Sequence, residues 1–122
     1  MSWDKNAAIS HINAKAGTNS KRQCAKYTRE AIEAGGIKIG STYFAKDYGR
    51  LLENAGFSKV WPGETIRAGD VVVIQSFPGN DAGHMAMFNG AIWVSDFRQR
   101  ADIYPGPGYR KYQPAYQIYR MN

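Results

Sequence analysis

A chain of 122 residues is long enough to bury a core of its own as one domain, and its single cysteine excludes an intramolecular disulfide or a cysteine-rich zinc site. Sixteen lysines and arginines against ten aspartates and glutamates give a net charge of +6, which favours an anionic partner; no basic run exceeds two residues, so the pattern of a nucleic-acid binder is missing. No apolar run approaches membrane-spanning length and M-S-W-D-K-N has no apolar leader region, so neither membrane insertion nor a signal peptide is expected.

Asp4 caps a first predicted helix over about residues 5 to 16, with Ala8, Ile9, Ile12 and Ala16 as its apolar face and Gly17 as its stop. His11 lies within it and reads as a structural or surface histidine. After the turn G17-T18-N19, the stretch S20-K21-R22-Q23-C24-A25-K26-Y27-T28-R29-E30-A31-I32-E33-A34-G35-G36 reads as a second helix. Ser20 as N-cap and Gln23 three residues on form a capping box, and Gly35-Gly36 ends the helix. Cys24 then stands one turn inside the N-terminus, where unpaired N–H groups and the helix dipole lower a thiol's pKa. A lone helical cysteine is otherwise a small buried hydrophobe.

A third helix with an irregular start is expected over residues 41 to 55, closed by Gly56. The periodicity then changes. The β-branched run from Val71 to Phe77 reads as a central strand buried on both faces, and P78-G79-N80-D81-A82-G83 as a loop. H84-M85-A86-M87-F88 and I92-W93-V94-S95-D96-F97 flank Asn89-Gly90, a strong hairpin signal. A Pro/Gly tract from Tyr104 to Tyr109 precedes a last strand at about Ala115 to Arg120. Helices first and antiparallel strands second give an α+β layer fold.

His84 opens a strand directly after Gly83, and with Cys24 it fits a general base and its nucleophile. The hairpin register decides which residue orients the imidazole. A two-residue turn sets Ser95 opposite His84; a three-residue bulged loop sets Asp96 there and gathers Ala86, Phe88, Ile92 and Val94 on one face. The bulged register is expected, because a carboxylate steadies an imidazolium best. The Cys24 N–H is a candidate oxyanion donor, with Asn19, Gln23 or a tyrosine as the second. Asp70, Asp81 and Asp102 lack metal-ligand spacing and no phosphate-cradling glycine motif is present, so no metal site and no cofactor are expected.

The ordered blocks R22-Q23-C24-A25-K26-Y27-T28-R29, G69-D70-V71-V72-V73-I74, G83-H84-M85-A86-M87-F88 and W93-V94-S95-D96-F97 resemble those of the CHAP and NlpC/P60 peptidases, papain-like bacterial amidases of peptidoglycan. The resemblance spans about residues 20 to 97. It implies a papain-like fold with N-terminal helices packed on a C-terminal antiparallel sheet, with Cys24 as nucleophile, His84 as base and Asp96 as third member. The small size and the G-H…W-V-S-D-F segment are similar to stand-alone amidase toxins injected by type VI secretion systems. That similarity implies a monomer made in the cytoplasm and delivered to the periplasm of a target bacterium, with peptidoglycan as substrate and a cognate immunity protein as partner. Among such proteins the γ-D-glutamyl–diaminopimelate bond is the favoured target, and the D-alanyl–diaminopimelate cross-link a close second. A non-catalytic wall- or protein-binding module fits the charge and the eight tyrosines but leaves Cys24, His84 and Asp96 unexplained. A papain-like peptidase or acyltransferase with a protein substrate would use the same trio.

Overall fold

A computed structural model describes residues 3–99 and 102–122. The chain runs α1 (Lys5–Lys15), α2 (Cys24–Ala34), a 3-10 turn (Ala45–Asp47), α3 (Gly49–Asn54), β1 (Ser58–Val60), β2 (Val71–Ile74), β3 (His84–Phe88), β4 (Trp93–Val94), α4 (Pro107–Tyr112) and β5 (Tyr116–Arg120). The strands form one sheet in the order β1-β5-β2-β3-β4, every pairing antiparallel. This is the expected α+β arrangement, with helices laid on a sheet. Among the described residues no helix is long and apolar enough to cross a membrane.

Strand alternation divides the interior into two layers. Val71 and Val73 of β2 and Met85 and Met87 of β3 face the helices, meeting Ile12 of α1, Ile32 of α2 and Leu52 of α3. Val72, Ile74 and Ala86 face the other way, against Trp93, Tyr109 and Ile118. All four residues of β2 are buried, as expected of a strand covered on both faces. Fully burying each such aliphatic side chain contributes about 1.5–3 kcal/mol.

Asp4 caps α1 as expected, accepting from the Ala7 N–H at 3.0 Å. The capping box of the second helix does not form. Ser20 accepts from Arg22 N–H at 3.3 Å in a turn outside the helix, and Gln23 is the N-cap without a side-chain bond of its own. Cys24 is therefore the first helical residue rather than one turn in. The predicted third helix contracts to the 3-10 turn and α3, with Gly56 at φ +109 after its end. Two elements were not foreseen: β1, and α4 inside the Pro/Gly tract, where Pro107 begins the helix with its φ preset and its missing N–H harmless.

The hairpin takes neither expected register. Phe88 pairs with Trp93 and Met87 with Val94, which leaves a four-residue loop, Asn89 to Ile92. The Asn89 Oδ1 accepts from both Ala91 N–H and Ile92 N–H at 2.9 Å, and this side-chain turn widens the loop. Val94 consequently joins the helix-side layer with Met85 and Met87, while Ala86 and Phe88 lie in the other. Carried forward, the register would set Asp96 opposite Met85. The strand ends first, because Asp96 C=O accepts from Gly17 N–H at 2.9 Å, tying that segment to the turn before α2.

Candidate active site

The turn into α2 is shaped by a buried carboxylate. Asp96 Oδ2 accepts from the backbone N–H groups of Lys21 and Gln23, the latter at 3.1 Å, while Asp96 Oδ1 accepts from the Ser95 hydroxyl at 3.1 Å. Between the two donors, Arg22 is left-handed at φ +59. Successive N–H groups around a left-handed residue form an anion-binding nest, and Asp96 fills it. The carboxylate also lies at the positive end of α2, where negative charge is favourable. Asp96 thus holds the backbone that presents Cys24.

Thr28 ties the helix to the sheet. Its buried hydroxyl lies 2.9 Å from the Cys24 C=O and 3.4 Å from the Met85 C=O. Cys24 packs against the helix-side layer, with the Met85 N–H directed at its sulfur. As the first helical residue it keeps its own N–H free of an intrahelical acceptor.

His84 is placed by the glycine before it. Gly83 sits at φ +72, and a Cβ there would stand 2.3 Å from the Ile74 carbonyl oxygen and 2.8 Å from Lys46 Cβ. Only glycine lets the loop approach β2 this closely. The Asn80 side chain shapes the same loop by accepting from Ala82 N–H and Gly83 N–H.

Gln99, not Asp96, orients the imidazole. His84 Nε2 lies 2.9 Å from Gln99 Oε1, and both residues are buried. The Gln99 Nε2 donates to the carbonyls of Asp102 and Ile103 at 3.0 and 3.1 Å. Those two acceptors fix the amide orientation, so its oxygen must face the imidazole and Nε2 must carry the proton. Nδ1 is left with its lone pair, the form a general base requires. The expected hydrogen bond from the His84 ring to Asp96 is not made, because the four-residue loop turns Asp96 towards the nest. No sequence signal pointed to Gln99, which belongs to no strand and meets His84 through the chain's return.

Cys24 and His84 line one hollow of about 530 Å³ together with Phe44, Phe97 and Tyr109. Tyr109 is buried, stands edge-on to the His84 ring at 5.9 Å and accepts from Asn80 Nδ2 at 3.2 Å. That bond leaves the phenolic proton free. A larger hollow of about 600 Å³ lies beyond the opposite end of β2 and contains the Asp70–Arg120 ion pair, with both contacts at 2.8 Å, but no nucleophile.

Burial decides the protonation states. Desolvation pushes the Cys24 thiol up to about 11, and the nearby Asp96 charge adds to it, outweighing the lowering by the Met85, Ala25 and Cys24 N–H groups. The lowered thiol pKa expected from the helix start is overridden. Desolvation likewise brings His84 down to about 4, opposed by Gln99 and Asp96. At neutral pH the pair rests as thiol and imidazole.

Two pH dependences follow. The rate of Cys24 alkylation by iodoacetamide is expected to keep rising above pH 9; a plateau already reached near pH 6 would show a standing thiolate. Because the folded pKa of His84 lies below its unfolded value, its neutral form stabilises the fold fully above about pH 6.5. That contribution is lost as pH falls through about 4. Thermal melts of the native protein and His84→Gln should therefore converge differently on acidification, the native protein losing more.

A scan against protein-family models gives no match, and a search of curated proteins gives none. Among solved structures, the type VI native effector–immunity complex Tae3–Tai3 from Ralstonia pickettii contains a chain 43% identical to this one, with a TM-score of 0.94. The match covers 98% of this chain and 100% of that one. The selenomethionine form of the complex matches at 45% identity and TM-score 0.87, over 93% and 98% of the two chains. The crystal structure of Ly7917 is 15% identical with a TM-score of 0.56, over 96% of this chain and 62% of that one; it shares the fold alone.

Proposed function

The chain belongs to the Tae3 family of type VI effectors, and from that premise we propose that it is an antibacterial, papain-like cysteine amidase of the NlpC/P60 and CHAP kind. Its substrate is an amide bond in the stem peptides or cross-links of peptidoglycan. The observation that carries the reading is one cleft holding a thiol at a helix start and an imidazole whose Nδ1 is kept unprotonated by Gln99.

Cys24 is the nucleophile and His84 the base. As sulfur attacks the amide carbon, Nδ1 takes the thiol proton, so a thiolate need not exist beforehand. The Cys24 N–H and the free Tyr109 proton serve as donors to the oxyanion. Nδ1–H then protonates the leaving amine, the C–N bond breaks and a thioester remains. Water, deprotonated by the same nitrogen, attacks the thioester; the acid departs and the thiol is restored. Asp96 belongs to this set as a positioning residue. It holds the turn before Cys24, and its charge favours the imidazolium formed in each half-reaction.

The favoured bond is γ-D-glutamyl–diaminopimelate, with the D-alanyl–diaminopimelate cross-link second. The net charge of +6 suits an anionic polymer. Because the matched structures are effector–immunity complexes, a cognate immunity protein is the expected partner, covering the cleft. The protein would act in the periplasm of the cell that receives it. Purified protein should release soluble fragments from Gram-negative sacculi, with mass spectrometry placing the cut at an amide of diaminopimelate. Expression should lyse cells when directed to the periplasm and spare them in the cytoplasm. Equal toxicity in both compartments would count against a wall target.

A further inference from the structure

Cys24 lies between two hollows of different character. The 530 Å³ hollow shared with His84 carries one cation, Arg22, and one carboxylate, Asp81. A second, of about 310 Å³, also reaches Cys24 but is lined by Arg22, Lys26 and Arg29, with Ser41, Thr42 and Tyr43 opposite and no acidic side chain. Cys24, Arg22 and Ala82 line both. A substrate whose scissile amide lies on the sulfur would therefore extend one flank into a hollow lined by three cations and, counting Tyr48, four hydroxyl-bearing residues.

Lys26 and Arg29, spaced i and i+3, share a face of the first turns of α2, while Arg22 reaches the same hollow from the left-handed turn before the helix. Arg29 lines the hollow with a side chain that is 24% exposed. Its Nε is buried and has no hydrogen-bond partner, the sole such side-chain atom among the described residues. Its Nη1 forms a long, part-exposed ion pair with Glu33 at 3.6 Å, which leaves the guanidinium able to donate to a further carboxylate. Buried donors are left unpaired rarely, and a planar guanidinium matches a carboxylate. Tyr43, 91% exposed, rises at the rim of this hollow with its hydroxyl available.

We propose that this second hollow is a subsite for a free carboxylate on a residue flanking the scissile amide, held by Arg29 with Lys26 and Arg22. The inference rests on the amidase reading and deepens it. A γ-glutamyl linkage leaves the glutamyl α-carboxylate free beside the cut. A D-alanyl–diaminopimelate cross-link leaves free the carboxylate on the carbon bearing the acylated amine. Amidation of that carboxylate removes the charge and one acceptor, so the hollow distinguishes amidated from unamidated peptidoglycan.

Binding to the Cys24→Ala protein tests this without turnover. Calorimetry would compare two pairs of muropeptides: L-alanyl-γ-D-glutamyl-diaminopimelate with and without α-amidation, and the D-alanyl–diaminopimelate cross-linked dimer with and without amidation of the flanking carboxylate. In at least one pair the free acid should bind about tenfold tighter or more, as charge-assisted pairing predicts. Added to Cys24→Ala, Arg29→Gln should bring that ratio near one, Arg29→Lys should retain part of it, and Lys26→Gln should reduce it. Lys26 is exposed, so its variant reads the subsite even if Arg29→Gln lowers the melting temperature. Equal affinity within both pairs overturns the subsite while leaving the amidase reading intact, and so does a preference that survives Arg29→Gln with Lys26→Gln. Failure to bind any of the four overturns the peptidoglycan reading and the subsite with it.

Discussion

Cys24→Ala is expected to abolish release of fragments from sacculi, with a loss of roughly 10⁴-fold or more, as when a catalytic nucleophile is removed elsewhere. The substitution replaces a thiol by a methyl at the first residue of α2, where the Thr28 bond to the Cys24 C=O and the nest around Asp96 are untouched. The melting temperature should therefore change little, and lost activity cannot be ascribed to unfolding. His84→Ala should fall comparably in rate. Tyr109→Phe removes only the free phenolic proton and the acceptor for Asn80, and should retain activity at about one part in 10² to 10³, the usual effect of one oxyanion donor. Fragment release by chromatography at matched melting temperature is the measurement. A Cys24→Ala protein that still cuts at the native rate would remove the cysteine from the mechanism.

How far the site was legible in sequence depended on whether backbone or side chains set the geometry. The loop ending at Gly83 and the strand opening at His84 were readable from the Gly/Pro/Asn-rich run and the pattern after it. The buried strand Val71 to Ile74 was readable from its β-branched run. Cys24 near the start of a helix was readable too, although the helix was expected to begin one turn earlier than it does. Ser20 and Gln23 match a capping pattern, whereas the turn is organised by Asp96 from across the fold. Capping patterns see only local donors, and this acceptor is more than seventy positions away. The register failed for a related reason. Asn-Gly predicts a tight turn from backbone preference, but Asn89 accepts two N–H groups with its side chain and also donates to Asn13 of α1 at 3.0 Å, so tertiary contact selected a longer loop. One loop residue beyond the expected three redirected Asp96 and left the place beside His84 to Gln99. The thiol's pKa was misread because a helix start is visible in sequence and burial is not.

Gln99→Ala is the variant expected to separate orientation of the base from construction of the site. Without the amide, Nε2–H loses its acceptor and the imidazole can adopt the tautomer with Nδ1 protonated, the wrong one for accepting the thiol proton. By analogy with triads elsewhere, kcat should fall by about 10²-fold or more. KM should change little, since Gln99 lies behind the ring and does not line the hollow shared by Cys24 and His84. The ¹⁵N shifts of the His84 ring should report the redistribution of tautomers, which a merely structural change would not produce. Gln99→Glu is no conservative swap, because its second oxygen would face the carbonyls of Asp102 and Ile103 where the native amide donates. Asp96 should behave differently. Asp96→Ala empties the nest, leaves the Lys21 and Gln23 N–H groups unpaired and should lower the melting temperature markedly. Asp96→Asn keeps an oxygen for those donors while its amide can face the Ser95 hydroxyl, so it should fold and lose less rate than Gln99→Ala. Ser95→Ala removes a single bond to Asp96 and should be mild. If Gln99→Ala turned over normally while Asp96→Asn was crippled at an unchanged melting temperature, the imidazole would be governed by the carboxylate, and Gln99 would be only a brace for the chain around it.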